Sequence, residues 1–203
     1  MHEAAPGSTQ LDNVCAQVDA LSERLAAALA ERDRAVANAL ELKTWLDEAI
    51  LVEVALERLH GALDRAEVLR AIQDVVINLV GSEELAVFEP GEGRDLLFAV
   101  QSFGVDRARL APVRLGEGPV GRAAAEGRAW VAGDERPPGD PRLTACVPLL
   151  AEGRLMAVLA IWRLLEHKPG LSPADRRVLQ LLGRHAGSAL YLTSGRRGEA
   201  GAV

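Results

Sequence analysis

VRLGEGPVGRAAAEGRAWVAGD, Val113 to Asp134, holds a literal G-x-G-x-x-G at Gly116, Gly118 and Gly121, with an acidic Asp134 eighteen residues beyond the first glycine. A dinucleotide-binding turn has this wording. It also needs a strand before the glycines, a crossover helix that spans the sheet and a parallel second strand, about 30 residues in all. Val113 to Ala132 is only twenty residues. Pro119 to Glu126 offers eight residues of helix before Gly127 ends it, a span of about 12 Å at the standard rise. Glu117 would set a carboxylate where a helix N-terminus should meet a pyrophosphate unaided. The glycines are therefore read as backbone devices. Gly116 and Gly118 free a turn, Pro119 opens a short helix at its first turn, and Gly127 caps it.

Outward from this stretch the apolar period is mostly two. LAVFE (85–89) and LLFAVQSF (96–103) read as strands joined by the turn-rich Pro90 to Gly93,. VRL (113–115) and AWVA (129–132) flank the glycines, and TACVPLL (144–150) follows the polar turn at 133–142. RLMAVLAIWRL (154–164) is apolar on both alternating faces, as a central strand covered from both sides would be,. Pro148 cannot donate to a ladder, which places it at a strand end, an edge or a bulge. Two helices bracket the strands. Asp64 to Glu67 is worded as a capping box, with Leu63 and Val68 as its staple, and it starts a helix near Arg65 that runs to Leu79 and stops at Gly81,. Ser172 to Asp175 signals a last helix carrying Val178, Leu179, Leu182, Ala186, Ala189 and Leu190.

Upstream, Gln10 to about His60 has neither proline nor glycine. Apolar residues recur with 3-4 spacing at Leu11, Val14, Val18, Leu21, Leu25 and Ala28, and the register continues through Ala35, Ala39, Leu42, Leu46, Ala49 and Leu56. Arg32 and Glu53 interrupt it. A stripe of period 3.5 held over this length faces a partner helix, the condition for a coiled coil. A single solvated helix is the other reading of the same residues. The candidate interface is Leu11, Val14, Val18, Leu21, Leu25, Ala28, Leu42 and Leu46. The organisation expected is a disordered start at 1–9, a coiled-coil helix over 10–62, a domain over 63–194 and a disordered tail at 195–203.

Composition narrows the function classes. Hydrophobic residues make up 49% of the chain and aromatic ones 3%, so the core must be aliphatic. No apolar run is long enough for a transmembrane helix, and the start lacks the pattern of a signal peptide. Two cysteines, Cys15 and Cys146, are too few for a disulfide framework and fit a reducing cytoplasm,. The net charge of −6 lies entirely in residues 1–65, where twelve acidic residues face six basic ones. An acidic arm and a neutral domain argue against nucleic acid and against an anionic membrane surface, because phosphate neutralisation needs a basic face. The high Ala, Arg and Gly content suggests a bacterial source.

The order and wording of three blocks, LGEGPVGRAAAEGRAWVAGD, CVPLLAEGRLMAVLAIWR and LSPADRRVLQLLGRHAGSAL, resemble a GAF domain over about residues 64–194. The resemblance implies an α+β fold: a GAF-like antiparallel β-sheet flanked by helices, preceded here by the long N-terminal coiled-coil helix. It implies that the first and last helices share one face of the sheet. The short helix and loops would lie on the other, over a ligand pocket. It does not imply one function.

Uses known in GAF-like proteins can be set against these residues one by one. Cys146 lies in a strand among apolar neighbours, where a buried structural cysteine is favoured over a bilin attachment site. The Asn-Lys-Phe-Asp-Glu signature of cyclic-nucleotide binding is absent. A methionine sulfoxide reductase needs several pocket cysteines, and a resolving partner for Cys146 is lacking because Cys15 sits in the arm. His167 falls in a loop and His185 on the last helix, and no residues stand at metal-ligand spacing. No catalytic, cofactor-binding or metal residue is therefore assigned, and no cofactor is expected. A candidate pocket remains at Trp130, Asp134, Arg136, Arg142 and Cys146, although the charged three also read as a solvated loop. Two functions follow. One is a non-enzymatic signalling adaptor in the cytoplasm: a homodimer through the N-terminal helix whose GAF-like domain meets a signalling protein partner. The other is a small-molecule sensor that relays ligand binding through its helices.

Overall fold

The structure is a computed structural model that describes residues 6–62, 64–132 and 142–199. It separates into two compact units, Met1–Glu48 and Ala49–Val203. The first consists of most of helix α1, Pro6–His60, which begins inside the stretch expected to be disordered. Proline is at ease in a first helical turn, where its missing N–H has no intrahelical partner to lose.

The second unit opens with the last turns of α1 and follows with α2 (Arg65–Val75), β1 (Ser82–Pro90), β2 (Leu96–Phe103) and β3 (Val113–Arg114). Then come α3 (Gly118–Glu126), β4 (Trp130–Val131), β5 (Ala145–Ala151), β6 (Arg154–Leu164) and α4 (Pro173–Glu199). All strand pairs are antiparallel, in the order β3-β2-β1-β6-β5-β4. β6 is central, and its burial on both faces follows from its doubly apolar sequence,.

The period of two sorts the strand side chains into two layers. On one face Leu85, Val87, Leu159 and Ile161 meet Ile72 and Val75 of α2 and Leu179 and Leu182 of α4. On the other, Ala86, Phe88, Val158 and Ala160 meet Val120, Ala123 and Ala124 of α3. Each large aliphatic side chain so buried contributes roughly 1.5–3 kcal/mol. α4 lies close over β5: a Cβ at Gly187 would run into the peptide of Leu150, so only glycine permits this approach.

Both helix starts are as the sequence words them. Asp64 Oδ1 accepts from the Glu67 N–H at 2.8 Å. Ser172 Oγ accepts from the Asp175 N–H at 3.1 Å, and an Asp175 carboxylate oxygen accepts from the Ser172 N–H at 2.8 Å. Lys168 Nζ joins this cap, 2.9 Å from both Asp175 oxygens, and also donates to the Val80 carbonyl at 2.7 Å. Leu63, the expected staple residue, lies outside the described residues.

Two boundaries differ from expectation. α2 does not run regularly to Leu79. It ends at Val75 and widens into a π turn over Val76–Val80, which Gly81 closes in a left-handed conformation with φ 73°. The wider turn leaves Val75, Val76 and Val80 all buried,. α4 continues through Gly195 to Glu199, because a glycine costs a helix only about 1 kcal/mol and no proline follows,. The last turns of α1 also belong to the second unit. Ala55 and Leu59, on the last turns of α1, are 6% and 1% exposed within the larger core. They pack beside Val178 and Leu182.

Candidate functional site

The glycine motif folds as a turn that pairs several of its own hydrogen-bonding groups. The Gly116 N–H donates to the Gly121 carbonyl at 2.8 Å, and the Glu117 N–H to the Arg114 carbonyl at 3.0 Å. Gly116 and Gly118 have φ of 84° and 62°, the left-handed region that glycine tolerates best,. Gly121 serves packing: a Cβ there would run into the Arg114 carbonyl oxygen, so α3 could not lie this close to β3. The Gly116, Glu117 and Gly121 amides, occupied in this way, are not open to a phosphate,.

The motif thereby seats α3 over the face of the sheet that carries the candidate pocket. Trp130 of β4 pairs with Cys146 of β5, and the indole is half-buried against the same layer of side chains. Cys146 is fully buried, and this desolvation pushes its thiol up to about 12 from the ordinary 9.0,. The sulfur is therefore held as a thiol at neutral pH and is a poor nucleophile. Arg142 is exposed beside buried Leu143. Asp134 and Arg136 lie outside the described residues. Of the five candidate residues, the structure brings Trp130 and Cys146 together.

Arg122, which the sequence reading passed over, lies on α3 between the glycine turn and Gly127. Its Nε donates to the Gly118 carbonyl at 3.3 Å. Its Nη2 is buried with no hydrogen-bond partner. A buried guanidinium nitrogen left unpaired is costly, so this atom offers a donor to an incoming acceptor. A lone arginine among alanines carries no local pattern that would have revealed it.

The helical arm holds the other candidate surface. Val14, Val18, Leu21, Leu25, Leu42 and Leu46 are 53–66% exposed, and Ala28 is exposed as well. Leu11 lies on the same helix. From Ala28 onward the 3.5-residue seam passes through alanines, while exposed Leu29, Val36 and Leu40 stand one residue further on. Val14, Leu25 and Val36 repeat at eleven residues, as do Val18, Leu29 and Leu40. That spacing, about 3.67 residues per turn, favours a slight right-handed rather than a left-handed supercoil. No helix among the described residues is long and apolar enough to cross a membrane, and no group of three His, Cys, Asp or Glu there is placed to hold a metal ion.

A family model for the GAF domain matches residues 62–190. Among solved structures, the GAF domain of an Acinetobacter phosphoenolpyruvate-protein phosphotransferase aligns with a TM-score of 0.61 at 13% identity, covering 74% of this chain and 97% of that one. The GAF domain of the phosphoenolpyruvate-protein phosphotransferase from Coxiella burnetii gives 0.63 at 11% identity, with 75% and 98% covered. A free methionine-R-sulfoxide reductase from Neisseria meningitidis, solved in complex with its substrate, gives 0.57 at 18% identity, with 74% and 93% covered. No curated protein matches the chain. At such identities the likeness carries the fold alone.

Proposed function

Given that the chain belongs to the GAF domain family, whose domains are generally regulatory or sensory, we propose that it is a non-enzymatic signalling adaptor that dimerises through α1 and presents its GAF domain to a protein partner. One observation carries this reading. The described side chains of α1 from Asn13 to Leu46 are all exposed, and among them runs a stripe of large aliphatic residues. An apolar stripe of this length is costly to leave in water, and a second helix covers it best. Nothing in the catalytic direction has comparable support. Cys146 is buried and protonated, and Cys15 belongs to the other unit.

The test is the mass of the full chain in solution by sedimentation or native mass spectrometry. The wild type is expected as a dimer, and Leu21→Asp with Leu25→Asp should raise its dissociation constant by about a hundredfold or more, since each charge would be buried in the seam. A monomeric wild type would sink the proposal.

The second reading, a small-molecule sensor, draws on Arg122. Its unpaired Nη2 would suit an acceptor group on a ligand held beneath α3. Native mass spectrometry of protein purified from its own cells separates the two. A reproducible small adduct that Arg122→Ala removes would favour the sensor, and a bare dimer would favour the adaptor.

A further inference from the structure

On the side away from β6, β4 covers only the first two residues of β5, through Trp130 with Cys146 and Val131 with Ala145. Continued in this register, Arg128 would stand opposite Pro148, which has no N–H to give to a ladder. The pairing stops there, and a groove of about 410 Å³ opens between the segment from Gly127 to Ala129, β5 and α4. Its floor is apolar: Val131, Val147 and Leu179 are buried, and Leu150 is half-buried. Its lips are exposed and basic. Arg128 stands on one side. Arg176, Gln180 and Arg184 follow one another at four-residue spacing along one face of α4 on the other,. No lining residue is acidic, and neither Arg128 nor Arg184 is in an ion pair among the described residues.

We propose that this groove docks an extended acidic–apolar peptide segment of the protein partner, with apolar side chains on the floor and Asp or Glu carboxylates against Arg128 and Arg184. The inference rests on the adaptor reading and adds to it a place and a chemistry. Charge complementarity selects an anionic occupant. The apolar floor and the electrically neutral domain disfavour nucleic acid. The exposed lips favour a peptide over a small molecule, because a small ligand is typically 70–90% buried in its site and this groove would leave it largely in water. A peptide strand gains by running the length of the groove and contributing several side chains.

The experiment is fluorescence anisotropy on the full chain with three labelled eight-residue peptides: Asp/Glu alternating with Leu/Ile, Asp/Glu alternating with Ser, and Lys alternating with Leu/Ile. Saturable binding is expected for the first alone. Arg128→Glu with Arg184→Glu should weaken it by about tenfold or more, whereas Arg154→Glu, outside the groove, should change it less than about twofold. Circular dichroism and the dimer mass of the variants separate a lost site from a lost fold or a lost arm. No saturable binding of the acidic–apolar peptide would overturn the proposal, as would equal loss with Arg154→Glu. Displacement of that peptide by decanoate, with no preference for the peptide, would assign the groove to a small anion instead. A change in oligomeric mass on Arg128→Glu with Arg184→Glu would assign it to a second copy of the chain. A monomeric wild type that still binds the peptide at these arginines would remove the dimerising arm and leave the groove standing.

Discussion

In α1, Val14, Val18, Leu21 and Leu25 leave half or more of their surface in water, whereas in the domain Ile72, Leu85, Leu159 and Ile161 leave none. The same aliphatic residue types meet opposite fates because of what surrounds them in the chain. A single helix has one stripe and nothing of its own to cover it. A sheet with helices on both faces buries its strand residues in alternation. An aliphatic residue in the arm is thus left in water by its own fold, and one in the domain is covered by it.

Four measurements would break or sharpen that contrast. Leu159→Ala should lower domain stability by about 3–4 kcal/mol in urea unfolding, from lost transfer energy and the cavity left behind, while Leu25→Ala should leave the domain transition in place. Equal effects would mean that the two units do not fold apart. Next, removing residues 1–48 should leave the domain transition unchanged. Removing 1–60 should cost about 3 kcal/mol, because Leu59 and Ala55 leave the core with it,. If the two truncations are equally stable, the domain begins after α1 and the burial of those residues carries little energy.

The two cysteines, one in each unit, give the third test. Iodoacetamide at pH 8 should label exposed Cys15 and spare Cys146 until the protein unfolds. The native thiol of Cys146 keeps its proton to about pH 12, while the unfolded one loses it from about pH 9.0. Its contribution to stability is therefore complete below pH 9 and falls as the pH rises toward 12, by roughly 2–3 kcal/mol between pH 9 and 11. Unfolding curves across that range should lose this extra slope in Cys146→Ala. An identical slope in both proteins would refute the burial argument. The smallest effect expected is Asp64→Ala, about 1 kcal/mol from the lost helix cap. It should appear in the domain transition and not in the dimer mass.

Local patterns made much of this legible. β2 and β6 occupy the residues that alternation assigned to them. Both caps form because a short polar side chain three residues from its partner needs no distant help. The glycine turn was recognised as a turn because the helix behind it is too short to cross a sheet. Cys146 was legible as buried from its apolar neighbours. Arg122 and the β5 groove were not. Arg122 lies on the helix that Gly121 lets approach β3 closely. The groove depends on a register that, if continued, would set Arg128 opposite Pro148, where the ladder stops. The burial of Ala55 and Leu59 was not legible for a related reason, since they continue a helical pattern and nothing local marks them as core.

The sequence by itself determined the period of each segment, the positions of the caps and turns, the charge of the arm and the aliphatic character of the core. These are properties of neighbours a few residues apart, fixed by backbone geometry and side-chain type. The tertiary structure alone decided which apolar residues are covered, where the strand ladder stops and which arginines share a groove. Those depend on contacts between residues far apart in the chain, which exist only once the sheet has set its register.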